Sequence, residues 1–162
     1  MHPVPCAQSQ WSFHEGELDR DDVRALLAHH FAEMRGESPP HACHVLPVDA
    51  LSDPAIHFFS LRDGDGVLLG IGALKALGPG HGEVKSMRTA PAALGHGVGR
   101  AMLAHLIAEA KKDGITRLSL ETGNSALFAA ANRLYEGDGF VRCGPFGGYP
   151  GTAFTHFYTR LI

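Results

Sequence analysis

The stretch "GEVKSMRTAPAALGHGVGRAMLAHLIAEAKKDGITRLSLETG", residues 82 to 123, limits the possible folds more than any other part of the chain. A β-prone run ends at Pro91, and a second alternating run begins near Thr116. Between them lies one helical pattern with Val98, Met102, Leu106 and Ala110 on a single stripe. Lys111 and Lys112 suit its C-terminal dipole, and Gly114 ends it. Strand, helix and strand in this order form a crossover unit at the centre of a sheet.

The flanking sequence supplies further strands and helices. A short strand near Trp11–Phe13 precedes an amphipathic helix over 19–36, with Val23, Leu26, Leu27 and Phe31 on its apolar face and Gly36 at its end. Residues 37–54 are loop-like, with one short helical turn. A hairpin follows over 56–77, its turn signalled by Asp63-Gly64-Asp65-Gly66. After the crossover unit comes a helix over 125–137, with Ser125 as the expected N-cap. Strands over 140–144 and 153–162 close the chain around a glycine-rich turn. Neither an internal repeat nor a linker divides the sequence, so a single domain over 1–162 is expected. The fold class is α/β, with a mixed and mostly antiparallel sheet around one β-α-β unit.

Composition narrows the function. The longest apolar runs fall far short of the ~18 residues that cross a bilayer, and the first ten residues lack the features of a signal peptide. Cys6, Cys43 and Cys143 are odd in number and irregularly spaced, which argues against a disulfide framework and for a cytoplasmic setting. Residues 1–66 hold four Arg against eleven Asp and Glu, a balance of −7; residues 67–162 hold ten Lys and Arg against six acids, a balance of +4. Two solvated surfaces that happen to differ would give this. So would a basic half that holds an anionic ligand and an acidic half that welcomes a cationic one. No basic cluster is interleaved with aromatics, so neither nucleic acid nor a membrane is expected as a partner.

Gly95, Gly97 and Gly99 open the central helix, although glycine within a helix costs about 1 kcal/mol relative to alanine. A helix N-terminus carries unpaired N–H groups and a positive dipole end, and glycines let phosphate oxygens approach that backbone closely. A plain flexible loop is the other reading of such a run. Two nucleotide motifs are excluded. The residue three past Gly97 is Arg100 and three past Gly99 is Met102, so the dinucleotide fingerprint fails; no Gly-Lys-Ser/Thr exists for a P-loop.

The strand "EVKSMRTAP", the loop "LGHGVGRAML" and the later "LYEGDGF" together resemble the GCN5-related N-acetyltransferase (GNAT) family. "KSMRTAP", "SLETG" and "CGPFGGY" are similar to a bacterial subgroup of small family members. The resemblance covers the second half well, and the first half only in the order of elements. It implies an acyl-CoA N-acyltransferase fold and transfer of an acetyl group from acetyl-CoA to an amine by direct attack, with no metal. A homodimer is compatible with it. Competing readings are another acyl-CoA donor and a non-catalytic acyl-CoA-binding domain.

The resemblance also implies residue roles. Leu94, Gly95, His96, Gly97, Val98, Gly99 and Arg100 would form the pyrophosphate loop, although Leu94 stands where the family usually has Arg or Gln. Arg100 or Arg88 would compensate. Met87, Arg88 and Thr89 would lie along the pantetheine arm, with a backbone N–H polarising the thioester carbonyl. Phe128 occupies the place of a frequent Asn and would pack on that arm or in the core. Glu83 matches the base of the histone-modifying members; an exposed glutamate at a strand start is the alternative. Tyr135 would be the general acid for the departing thiolate, or else a core tyrosine. His96 would add a hydrogen bond in the loop or simply be exposed. His41, Cys43 and His44 lack the spacing of a tetrahedral metal site.

The charge asymmetry gives a first prediction. If the acidic half draws a cationic acceptor, acceptor kcat/KM at saturating donor falls as salt rises, because screening shortens the field to about 8 Å at physiological ionic strength. An acceptor kcat/KM indifferent to salt rejects this steering.

Overall fold

In the computed structural model, which describes residues 10–37 and 48–162, the first elements are β1 (Ser12–Glu15) and α1 (Asp21–Glu37). The helix begins with Asp21 and Asp22, acids that suit the positive end of its dipole, and runs one residue past Gly36. β2 (Ile56–Arg62) and β3 (Leu68–Gly78) form the expected hairpin. The Asp63 carboxylate accepts hydrogen bonds from the N–H groups of Asp65 and Val67, each at 2.9 Å, which fixes the turn. Then follow β4 (His81–Thr89), α2 (Val98–Lys112), β5 (Arg117–Gly123), α3 (Ala129–Gly137), β6 (Val141–Cys143) and β7 (Thr155–Leu161).

These strands make one sheet in the order β1-β2-β3-β4-β5-β7-β6. Every junction is antiparallel except β4–β5, whose parallel pairing is the product of the α2 crossover. Period-two alternation along β2 and β3 supplies two cores. On one face Phe59, Leu61 and Leu74 pack with Met102, Leu106 and Ala110 of α2, and with Leu118, Leu120, Phe140 and Tyr158. On the other, Phe58, Ile71 and Ala73 pack with Val23, Leu26 and Leu27 of α1. Each buried Leu or Phe contributes roughly 1.5–3 kcal/mol.

One expected feature differs. Ser125 has extended backbone and its side chain caps nothing; a single 3-10 turn, Ala126–Phe128, separates it from α3. The reason is packing. The Phe128 ring fills the space that a Cβ at Gly123 would need, and the tight turn brings that ring down onto β5.

Two buried polar contacts fasten α1 to the sheet. Arg62, with a side chain only 4% exposed, donates to Glu17 (Nε–Oε1 2.9 Å), to both Asp22 oxygens and to the Gly66 carbonyl. This knot ties the start of α1 to the hairpin turn. Farther along α1, the buried His30 accepts a 3.0 Å hydrogen bond at Nδ1 from Nε of Arg88 on β4. Burial, and then the positive charge of Arg88, push His30 from 6.5 down to about 3.

This depression fixes the sign of a stability effect. The unfolded chain binds a proton at His30 below pH 6.5, whereas the folded chain does not until about pH 3. The stabilisation is complete above pH 6.5 and is lost on acidification at up to about 1.4 kcal/mol per pH unit. We expect His30→Gln to flatten the fall in unfolding free energy between pH 6.5 and about 5, above the range where most carboxylates titrate. Urea titrations at several pH values check this, and parallel slopes for the two proteins refute it.

Candidate active site

The ladder between β4 and β5 has only four pairs, from His81–Arg117 to Val84–Leu120, and then stops. The cause lies two residues farther along β4. Ala73 pairs with Lys85 and Ile71 with Arg88, so β4 carries one residue more than β3 over the same span. Ser86 sits in this bulge at φ +54°, the one non-glycine residue with positive φ among the described residues. Such a bulge bends its strand and raises the local twist, and β4 leaves β5 here. A cavity of about 590 Å³ opens at the parting. It runs from Leu94, Gly95 and Gly99 at the start of α2 to Glu83 on β4 and Tyr135 on α3.

Strand alternation decides which backbone groups face this gap. The Ala90 N–H donates to Leu69 O at 2.8 Å and Arg88 pairs with Ile71, so these residues turn their backbone groups toward β3. The groups of Met87 and Thr89, one residue out of phase, turn toward the parting. These are the two residues expected to hold an extended arm.

At the opposite end, Gly97 is the N-cap of α2, with φ +83° and no side-chain capping bond; Gly95 is also left-handed at φ +79°. Here the glycines are required by the backbone itself, because other residues lose about 1 kcal/mol or more in that conformation. The first helical bond runs from Ala101 N to Gly97 O at 3.1 Å, so the N–H groups of Val98, Gly99 and Arg100 precede the hydrogen-bonded ladder. A Cβ on Gly99 would come within 3.3 Å of Leu134, and packing against α3 therefore also favours glycine. His96 Nδ1 lies 3.2 Å from the Ala93 carbonyl. Leu94 is 64% exposed at the cavity mouth, and Arg100 is exposed.

Tyr135 is buried at the end of α3, packed on Phe140 and Tyr158 with ring centroids 6.0 and 6.2 Å away. Its hydroxyl points at Met87 Sδ, 4.0 Å away, its one hydrogen-bond partner among the described residues. Burial pushes the phenol up to about 12, so it keeps its proton across the neutral range. Phe128, Ala131 and Tyr135 all line the cavity.

Glu83 is 1% exposed rather than solvated. Lys85, its neighbour on the same strand face, donates to Oε2 at 3.1 Å, and the Tyr149 hydroxyl donates at 2.9 Å. Lys85 and Tyr149 escape a reading of the sequence as site residues. The Lys85 signal was available, since residues two apart on a strand share a face. Tyr149 is 66 residues away, and its only trace is the stretch "CGPFGGY".

A second ion pair closes the α1 side of the cavity. The Arg88 guanidinium donates to Glu33 Oε2 at 2.5 Å as well as to His30. Arg88 thus reaches the cavity from the α1 side, held there by His30 and Glu33. Glu121, the first β5 residue past the last β4 pair, lines the cavity too. Among the described residues no three His, Cys, Asp or Glu side chains converge as metal ligands. His41, Cys43 and His44 lie outside the described residues, as does Cys6.

Known proteins resemble this chain in sequence and fold. The model of the acetyltransferase (GNAT) family matches residues 17–140. The chain is 45% identical over 133 residues to the uncharacterized N-acetyltransferase YedL of Escherichia coli, spanning 82% of this chain and 83% of that one. It is 44% identical over 146 residues to the uncharacterized N-acetyltransferase YsnE of Bacillus subtilis, spanning 90% and 96%. Among solved structures, a Klebsiella pneumoniae chain assigned as an acyl-CoA N-acyltransferase superposes with a TM-score of 0.76 at 24% identity, over 94% of this chain and 98% of the other. That likeness carries the fold, and the family match with its two near-full-length relatives carries the rest: the chain is a member of the GNAT family of acetyltransferases.

Proposed function

We propose that this acetyltransferase moves the acetyl group of acetyl-CoA to the amine of a small molecule or peptide by direct attack within the parted strands. The supporting observation is that one cavity joins the glycine-started helix, the Met87 and Thr89 backbone, the Tyr135 hydroxyl and the Glu83 carboxylate. The N-terminus of α2 holds the pyrophosphate through the N–H groups of Val98, Gly99 and Arg100 and the helix dipole. The pantetheine arm lies along β4 and pairs with Met87 and Thr89, as an added strand would. A backbone N–H at the bulge then faces the thioester carbonyl and stabilises the negative charge that attack places there.

An alkyl ammonium of pKa near ~10 must shed a proton before it attacks. Glu83, directly or through water, takes that proton on the α1 side of the sheet. Tyr135 stands on the α3 side beside Met87 and gives its proton to the departing thiolate. The two roles are thereby separated across the sheet, which keeps the acid and the base from neutralising one another.

Two variants test the assignment, measured by thiol release against a panel of amino acids, polyamines, aminoglycosides and peptides. Tyr135→Phe keeps the ring packing and gives up a long contact to a thioether, so thermal stability should hardly move. Its kcat should fall roughly 10²–10⁴-fold; full turnover removes Tyr135 from the chemistry. Glu83→Gln preserves an acceptor for Lys85 and Tyr149 while removing the base, and should lower kcat by a similar factor without altering the acetyl-CoA KM. Tight acetyl-CoA binding with transfer to no amine would instead support a non-catalytic acyl-CoA-binding domain.

A further inference from the structure

The Tyr149 hydroxyl sits inside a closed ring of hydrogen bonds. Lys85 Nζ donates to Tyr149 Oη at 2.7 Å and to Glu83 Oε2 at 3.1 Å, while the hydroxyl donates its proton to Glu83 at 2.9 Å. Each group thereby limits the rotamers of the other two. The Lys85 side chain is 7% exposed and that of Glu83 1%, so water does not compete for these bonds. Burial, followed by the charge of Glu83, keeps the Tyr149 phenol well above its ordinary range, as a donor and not a base.

The loop that carries Tyr149 is shaped to deliver it. Gly147 and Gly148 both have positive φ, +60° and +80°, and turn the chain between β6 and β7 back toward β4. Tyr149 N donates to Phe146 O at 3.0 Å. Its ring packs edge-on to Phe146 and face-on to Phe157, with centroids 5.6 and 6.5 Å apart, and Lys85 Nζ stands 5.2 Å from the ring centre. Glu83 and Lys85 reach the cavity wall, and Tyr149 supports them from outside it.

We infer that Tyr149 is a positioning residue for acetyl transfer: with Lys85 it aims the Glu83 carboxylate at the acceptor amine in the parting of β4 and β5. This rests on the role of Glu83 proposed above. A carboxylate on a two-carbon stem has several rotamers of similar energy, and proton transfer requires it within hydrogen-bond reach of one place. A ring of three bonds selects that rotamer before the acceptor arrives. The β6–β7 connection, remote in sequence, thereby becomes part of the active site.

The test is a double-mutant cycle with Tm, kcat and acetyl-CoA KM measured for every member. Tyr149→Phe keeps the aromatic packing and removes the hydroxyl's hydrogen bonds to two charged groups, Lys85 and Glu83. Its kcat should fall roughly 10- to 100-fold, with acetyl-CoA KM unchanged because the phosphate loop is untouched. Combined with Glu83→Gln, the same change should lower kcat no further. If Tyr149 only braces the fold, Tyr149→Phe moves Tm and leaves kcat at the wild-type value, and the inference is overturned. Multiplying effects in the double variant overturn it as well, because Tyr149 then acts other than through Glu83. Glu83→Gln at full turnover is a different failure, that of the base itself. Should Glu83→Gln prove unstable, Glu83→Asp closes the same cycle by withdrawing the carboxylate one methylene.

Discussion

The early end of the β4–β5 ladder is the constraint on which the rest of the site depends. Four parallel pairs hold the two strands together, and the bulge at Ser86 then sends β4 away. Every functional group proposed here takes its place from that point. Beyond it, Met87 and Thr89 have backbone groups with no strand opposite. Just before it, Glu83 and Lys85 face α1. The extra residue also restores Arg88 to the α1 face, three positions after Lys85, where an unbroken strand would put it on the opposite side. One inserted residue thus fixes both the backbone that would hold a donor and the charged wall that would meet an acceptor.

That wall is costly in free energy. Removing charges from water carries a penalty that ion pairing only partly offsets, and apolar replacements of buried pairs are often neutral or stabilising. The chain nevertheless buries Arg62 against Glu17 and Lys85 against Glu83, and half-buries Arg88 against Glu33. Their positions separate their purposes. Arg62 lies away from the cavity and joins the start of α1 to a hairpin turn, so its return is the geometry of the fold. The other two pairs line the cavity, one on each side of the bulge, where fixed charge serves chemistry.

The sequence made the order of elements legible because hydrophobic period follows directly from residue spacing. The stripe from Val98 to Ala110 is buried as expected, and the face shared by Phe128, Ala131 and Tyr135 looks into the cavity. Local signals failed where a distant contact decided the outcome. Ser125 carries a good capping side chain, but the fit of Phe128 over Gly123 sets the turn there. Glu83 could be read equally as solvated or catalytic, since the Tyr149 hydroxyl that binds it comes 66 residues later. The bulge itself left no mark in the pattern of "KSMRT", because Ser86 is neither glycine nor asparagine. The residue pattern marked the strand, and only the family likeness pointed to it as a binding edge.

An open pair of strand edges in the middle of a sheet would ordinarily invite a second chain to pair there, the first step of edge-to-edge aggregation. This protein carries two such edges, on β4 and β5, and cannot heal them without closing its own cavity. Geometry guards them instead. The edges converge to contact at Val84–Leu120, and α2 and α3 cover one side of the gap while α1 stands on the other. The gap proposed to take the donor arm would thus be the same feature that keeps these two edges from pairing with another sheet.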